Sequence, residues 1–304
     1  MRSERFVFGV DLGGTKIEGA LLEPAEPGPR VFARRRVPTR RDEGYDAIVE
    51  RTARLVRELV AEAGLAALPP VGVGMPGSVS RRTGLVKNSN TTCLNGRPFR
   101  DDLRRALDAP VAFGNDADCF ALAEARWGAA RGFDDGVVFG AILGTGVGGG
   151  WVLRGRTWQG PNAMGGEWGH HALAPEGGRP CYCGRSGCVE TALAGPALEA
   201  SYERRSGRRL PLAEIVARRA SDPHAGAVVG ELLDAFGRAF GNVLTIVDPD
   251  VVVLGGGLSN IDLLYDEGRA AVARHVFNDE LVTPVVRAEL GDSAGVFGAA
   301  LLAL

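Results

Sequence analysis

The chain has 304 residues, with 35 Lys plus Arg against 37 Asp plus Glu and a formal net charge of −2. That balance excludes nucleic acid as the main partner, and no run of about 18 apolar residues offers a membrane span. A hydrophobic fraction of 45% over this length suits a soluble chain of two domains with a full core.

The opening Met1-Arg2-Ser3-Glu4-Arg5 leads into a strand without a signal-peptide core, so a cytoplasmic protein is expected. Strands are predicted at 6–10, 17–22 and 31–37, then a helix over 44–63 with Ile48, Leu55, Val56 and Leu59 at helical spacing. Between the first two strands lies Asp11-Leu12-Gly13-Gly14-Thr15-Lys16. Paired glycines let backbone N–H groups turn toward an anion, Asp11 suits a hydrated divalent cation, and Lys16 adds positive charge. A Walker loop requires Gly-Lys-Ser/Thr followed by a helix. Here Thr15 precedes Lys16 and Ile17 to Leu22 reads as a strand, so the loop is a hairpin turn, and Asp11 and Lys16 flanking the two glycines favour phosphate there over an ordinary turn with no ligand. Val71 to Met75 is a short buried strand ending in Pro76-Gly77-Ser78, and a Gly- and Asn-rich stretch follows over 84–98. A helix near 99–107 and the strand Val111-Ala112-Phe113 lead to Asn115-Asp116, which opens a helix containing Phe120, Leu122, Ala123 and Trp127. A carboxylate there suits the helix dipole, and beside an amide it also suits the orientation of a polyhydroxylated substrate.

The second half repeats the opening pattern about 130 residues on: a strand at 137–143, the turn Gly144-Thr145-Gly146-Val147-Gly148-Gly149-Gly150, and a strand at 151–153. Gly144, Gly146 and Gly149 fit a dinucleotide fingerprint, but a strand rather than a helix follows them, which favours phosphate over a dinucleotide. Helices are predicted near 196–204, 212–220, 225–247, 261–274 and 294–303. Strands are predicted at 251–254 and near 282–288, the former ending in Gly255-Gly256-Gly257. Mixed elements with a duplicated hairpin indicate an α/β protein of two related halves.

Of the five cysteines, Cys93 and Cys119 stand apart, while Cys181, Cys183 and Cys188 fall within eight residues. An odd count argues against a disulfide framework. Three thiolates lack one ligand for tetrahedral zinc, and either His170 or His171 is placed to supply it.

Taken together, these motifs resemble the ROK family (repressor, open reading frame, kinase) of sugar kinases, over nearly the whole chain. Asp11 to Lys16 is similar to its first phosphate loop, Asn115-Asp116-Ala117 to its sugar-binding and catalytic segment, and Leu143 to Gly150 to its second phosphate loop. Glu167-Trp168-Gly169-His170 with Cys181-x-Cys183-Gly-x-x-Gly-Cys188-x-Glu190 is similar to its zinc signature, and Gly255 to Ser259 to its adenosine-side loop. The resemblance implies an actin/hexokinase-like (ribonuclease H-like) duplicated two-domain fold with an interdomain active-site cleft. The domains would be 1–117 plus 291–304, and 118–290 with the zinc loop. It implies ATP and Mg²⁺, with Asp11 on the Mg²⁺ through water, the phosphates held around Gly13, Gly14, Thr15, Lys16, Gly144, Thr145, Gly146 and Gly148, and Gly256 and Gly257 on the nucleotide side. It assigns Asp116 as the base, and Gly77, Ser78, Asn90, Asn115, Asp116, Glu167, His170 and Glu190 to the sugar. Structural zinc falls to His170, Cys181, Cys183 and Cys188, and a homodimer is expected.

Residues 83–99 are similar to the sugar-side insertion of bacterial fructokinases (mannofructokinases), which points to fructose phosphorylated to fructose 6-phosphate. Asp248-Pro249-Asp250, Gly255 to Asn260 and Gly291 to Gly295 are shared with N-acetylglucosamine kinases, which remain the alternative along with glucokinase and mannokinase. The family also contains sugar-responsive repressors. A first strand at Phe6 leaves no place for their helix-turn-helix, so that reading is disfavoured.

Overall fold

The computed structural model describes residues 5–174 and 176–304; Met1 to Glu4, part of the opening segment read above, lie outside them. The chain divides into two compact units. One comprises the residues through Asp134, Gly150–Gly165 and Glu289–Leu304; the other comprises Asp135–Gly149 and Gly166–Ala288. Each carries a sheet with helices packed on it, a hexokinase-like α/β architecture.

In the first unit β1 (Val7–Leu12), β2 (Lys16–Glu23), β3 (Arg30–Pro38), β4 (Val71–Met75) and β7 (Val111–Asn115) form one sheet in the order β3-β2-β1-β4-β7. β1 pairs antiparallel with β2, which pairs antiparallel with β3; β4 lies parallel to both β1 and β7. β5 (Ser78–Val79) and β6 (Val86–Lys87) make a separate two-stranded hairpin. Helix α1 (Tyr45–Glu62) buries Ile48, Leu55, Val56 and Leu59, the stripe its 3.6-residue spacing predicts. α2 spans Phe99–Leu107 and α3 spans Asp116–Trp127. The last helix, α9 (Ala294–Leu301), packs against β1, β4 and α3. Its crossing with α3 is close enough that a Cβ on Gly298 would stand 1.7 Å from the Cys119 carbonyl oxygen. Only glycine permits that approach, which fixes where α3 begins relative to β1.

In the second unit β8 (Val137–Leu143), the start of β9 (Val147–Leu153), β11 (Val251–Gly255) and β12 (Val285–Arg287) form a sheet in the order β9-β8-β11-β12. β11 lies parallel to β8 and to β12. β9 continues past Gly149 into residues of the first unit, where Leu153 pairs with Arg156 of β10 (Arg156–Thr157). The helices are α4 (Glu190–Leu193), α5 (Gly195–Ser206), α6 (Leu212–Ala217), α7 (Pro223–Val247) and α8 (Glu267–Ala273). α7 starts at Asp222, whose side chain accepts from the N–H groups of His224 and Ala225, an N-cap of the usual kind with Pro223 at the first position. The helix predicted over 261–274 is shorter than expected. One-turn segments at Gly257–Asn260 and Asp262–Leu264 precede α8. There the backbone closes i→i+3 turns (Leu264 N–H to the Ile261 carbonyl at 3.1 Å, Tyr265 N–H to the Asp262 carbonyl at 3.0 Å), and the Tyr265 hydroxyl donates to the Ser259 carbonyl at 2.7 Å. Among the described residues, no helix is long and apolar enough to cross a membrane.

Candidate functional site

The first glycine loop is closed by its own backbone: Gly13 N–H donates to the Lys16 carbonyl at 2.9 Å. The buried Thr39 then ties the loop to the end of β3. Its hydroxyl donates to the Gly13 carbonyl at 2.7 Å and its N–H to the Thr15 carbonyl at 2.9 Å. Among the described residues no acceptor takes the N–H groups of Gly14 and Thr15, which leaves a small concavity of donors flanked by Lys16. Asp11 sits at the end of β1 beside this turn. Burial, then the nearby negative charges of Asp116 and Glu18, push its carboxyl up to about 7, against the opposing pull of Lys16 and Arg36. A raised native value means that folding binds a proton the unfolded chain gives up. This contribution to stability is therefore complete below pH 4 and is lost progressively as pH rises toward 7. Asp11→Asn is thus expected to stabilise the ligand-free protein at pH 8 by about 1–2 kcal/mol, with the advantage vanishing near pH 4. Urea melts at both pH values check this; an equal or opposite effect at pH 8 refutes it.

Asn115 and Asp116 stand where β7 turns into α3. Asn115 Oδ1 accepts the Ala117 N–H at 2.9 Å as the helix N-cap, and its Nδ2 donates to the Gly77 carbonyl at 3.0 Å. Asp116 Oδ1 also accepts from Ala117 N–H at 2.9 Å, so the carboxylate is oriented by the first turn of α3. Ser78 Oγ donates to the Ala163 carbonyl at 3.2 Å. A cavity of about 290 Å³ within this unit is lined by Ser78 and Asn115, together with Phe113, Arg81 and Gln159. Asn90 is exposed and outside that lining. Gln159 was not visible as a candidate from its sequence neighbours, yet its amide donates at 2.7 Å to Asp118, which shares the first turn of α3 with Asp116. Thr91 is another such residue. It is fully buried, its hydroxyl has no partner among the described residues, and it lies 3.6 Å from where a Gly14 Cβ would be.

In the second unit the loop of residues 144–146 closes through Gly144 N–H to the Gly146 carbonyl at 2.9 Å, and the Gly195 N–H ties its other side to Gly144 at 2.9 Å. Gly256 has φ of 77°, and a Cβ there would stand 2.4 Å from the Leu143 carbonyl oxygen. The strand ends of β8 and β11 can therefore present residues 144–146 and 256–257 side by side. Thr145 is exposed at the tip, and the Gly148 carbonyl accepts the Trp168 indole N–H at 2.8 Å. Trp168 is pinned by an aromatic cluster, with ring centroids 5.4 Å from Phe139 and 4.8 Å from Phe240. That anchor places its neighbours Glu167 and His170. Glu190, first residue of α4, accepts the Val147 N–H at 2.9 Å, which links the glycine loop to the cysteine loop.

The donor atoms of His170, Cys181, Cys183 and Cys188 lie within 4.8 Å of one another. Cys181 Sγ is 3.6 Å from His170 Nδ1, and Cys183 Sγ is 3.6 Å from Cys188 Sγ. Tetrahedral ligands at zinc bond lengths stand about 3.5–3.8 Å apart, so the donor set fits that ion. Hydrogen bonds from the backbone and side chain of Arg185 hold the Cys183 thiol below its ordinary range, whereas burial pushes Cys188 up. His170 Nε2 meets the Tyr182 hydroxyl at 2.9 Å, an outer partner that orients the ring. His171 is engaged elsewhere, with Nδ1 at 2.8 Å from the Trp168 carbonyl and Nε2 at 3.4 Å from Asn242, and it is not part of the cluster.

The ROK family model matches residues 7–304. The chain belongs to the ROK family. The N-acetyl-D-glucosamine kinase of Escherichia coli O157:H7 is 38% identical over 312 residues, covering 98% of this chain and 99% of that protein. The crystal structure of a ROK hexokinase from Thermus thermophilus superposes with a TM-score of 0.86 at 34% identity, covering 98% of this chain and 97% of that one. A ROK family glucokinase from Streptomyces griseus, in complex with glucose and AMPPNP, does so at 0.77 and 28% identity, covering 98% and 99%. The fructokinase branch read from residues 83–99 is not supported by these relatives. The structure shows what that segment's residues do instead. Asn95 exchanges two 2.9 Å hydrogen bonds with the backbone of Ser89, and Ser89, Thr91 and Leu94 are buried, so its composition serves closure of the loop on itself.

Proposed function

We propose that this ATP-dependent sugar kinase transfers the γ-phosphoryl group of ATP to a hydroxyl of N-acetyl-D-glucosamine. The observation that carries the acceptor is the 38% identity to an N-acetyl-D-glucosamine kinase along the full length of both chains. Asp116 is the base, aimed by the first turn of α3 and supported by Asn115. Gly77, Ser78, Asn115, Glu167, His170 and Glu190 serve sugar recognition. The hairpin of residues 13–16 and the loop of residues 144–146 serve the phosphates, and Gly256 and Gly257 the nucleoside side. Mg²⁺, when bound with ATP, would supply charge neutralisation, and Asp11 is the residue that would hold it beside the hairpin. Phosphoryl transfer passes through a loose transition state, so these residues act by positioning and charge more than by base strength. The four donors His170, Cys181, Cys183 and Cys188 hold zinc, which keeps the segment between Glu167 and Glu190 in shape.

A coupled assay of ADP release over N-acetyl-D-glucosamine, glucose, mannose and fructose tests the acceptor. The expected result is a kcat/KM for N-acetyl-D-glucosamine at least about tenfold above the others, since a buried acetamide partner left unpaired costs about 1–3 kcal/mol. A higher value for any of the other three sugars overturns the assignment.

A further inference from the structure

The sheet register sets three charged residues in one row across three strands. Asp11 of β1 is directly opposite Glu18 of β2, and Glu18 is directly opposite Arg36 of β3. Residues directly opposite one another point to the same face, so the three side chains share one side of the sheet. Lys16, two residues before Glu18, and Arg34, two before Arg36, lie on that face as well.

A buried glutamate beside Asp11 is a like-charge cross-strand pair, which is unfavourable unless neutralised. Glu18 is completely buried, and its two oxygens are taken up by separate cations. Arg34 Nε donates to Oε1, while Arg36 Nε donates to Oε2 at 2.6 Å, and Lys16 Nζ stands 4.0 Å from that same Oε2. One buried oxygen thus gathers Lys16 of the phosphate hairpin and Arg36 of the neighbouring strand. Arg36 reaches further, to 3.9 Å from Asp292 just ahead of α9. Asp11 lies under the same helix terminus, where a Cβ on Gly295 would stand 2.7 Å from its carboxylate. Arg36 is close enough to Asp11 that each carries the other's charge in its titration. About 40% of its side chain remains exposed, so the guanidinium keeps donors for a ligand. Arg34, by contrast, serves Glu18 from the far side of the row.

We propose that Arg36, held beside the glycine hairpin by the buried Glu18, is a cation of the donor-phosphate site, and that Glu18 is the positioning residue for both Arg36 and Lys16. This rests on the reading of residues 13–16 as the phosphate loop. A guanidinium is the group for such a place, because its planar fork keeps bonds to a carboxylate on one edge and to a phosphate on another.

Arg34 provides a matched control, since Arg34→Met and Arg36→Met each remove one guanidinium from the same buried carboxylate. Both are expected to lower Tm by similar amounts, and both leave KM for the sugar unchanged. Only Arg36→Met is expected to raise KM for MgATP, by about tenfold, with Arg36→Lys recovering part of the loss. Lys16→Met, measured alongside, should also raise KM for MgATP. Equal rises in Arg34→Met and Arg36→Met overturn the proposal, because the effect is then one of folding alone. A rise in Lys16→Met with none in Arg36→Met overturns it too while the phosphate loop stands. No rise in either overturns the loop reading and the proposal with it.

Discussion

Asp116→Asn is expected to lower kcat by about 10²–10⁴-fold while the protein keeps its fold. The substitution preserves shape and leaves an oxygen that can still accept the Ala117 N–H, now held at 2.9 Å, so α3 keeps its first turn. Asn115 continues to cap the helix from its own side chain. What is lost is the negative charge proposed to orient the acceptor hydroxyl and take its proton. Removing that charge also relieves Asp11, whose carboxyl Asp116 helps push up to about 7, so Tm should hold or rise slightly. KM for the sugar is expected to move far less than kcat, since the hydroxyl ligands remain. Steady-state kinetics with circular dichroism and thermal melts measure all of this. Turnover near that of the natural protein would remove Asp116 from the mechanism.

The elements that sequence patterning located are those with strong local causes. α1 follows its apolar stripe, β4 its unbroken run of small and apolar residues, and the hairpin of residues 12–17 its paired glycines. The cysteine cluster was legible because three thiols in eight residues have few other uses, and the structure adds the ring of His170 rather than His171 at its fourth corner. The start of β9 was not legible. Residues 147–150 read as turn because glycine is a poor strand former, yet Gly149 lies in the strand, where a Cβ would meet the Trp168 ring at 2.7 Å. The need for glycine there comes from a tryptophan nineteen positions away, which no local pattern contains. Gln159, Thr91, Glu18 and Arg36 were missed for the same reason. Each draws its meaning from a partner on another element: Asp118, the Gly14 turn, or the opposite strand. The fructokinase reading rested on residues 83–99, whose polar side chains Ser89 and Asn95 close their own loop, and the relatives do not support it.

Zinc removal is the second large effect expected. Metal analysis should find about one zinc per chain, and chelation or Cys188→Ser should cost several kcal/mol of stability, below the roughly 10–16 kcal/mol of isolated zinc-finger peptides because packing also holds this segment. Cys188 is almost fully buried, and its thiol meets Cys183 at 3.6 Å and the His170 carbonyl at 3.6 Å, so the serine loses a ligand at the inner corner of the cluster. Backbone bonds also hold the knuckle, within it (Cys181 N–H on the Arg185 carbonyl at 2.8 Å, Gly184 N–H on the Cys181 carbonyl at 3.0 Å) and to the preceding segment (Leu173 N–H on the Gly187 carbonyl at 2.8 Å). The consequence should extend to catalysis along a traceable route. Cys188 is two residues before Glu190, whose carboxylate holds the Val147 N–H at the end of the second glycine loop. His170, at the opposite corner, is the last residue of the turn that begins after Glu167. Loosening the cluster therefore frees both the proposed sugar ligands and the proposed second phosphate loop. KM for the sugar and for MgATP should rise in company, unlike the split expected for Arg36→Met. Readdition of zinc after mild chelation should restore both constants, and the serine variant should show no such rescue. If metal analysis finds no zinc, and chelation leaves Tm and both KM values unchanged, the cluster is a packed set of thiols and the metal assignment fails.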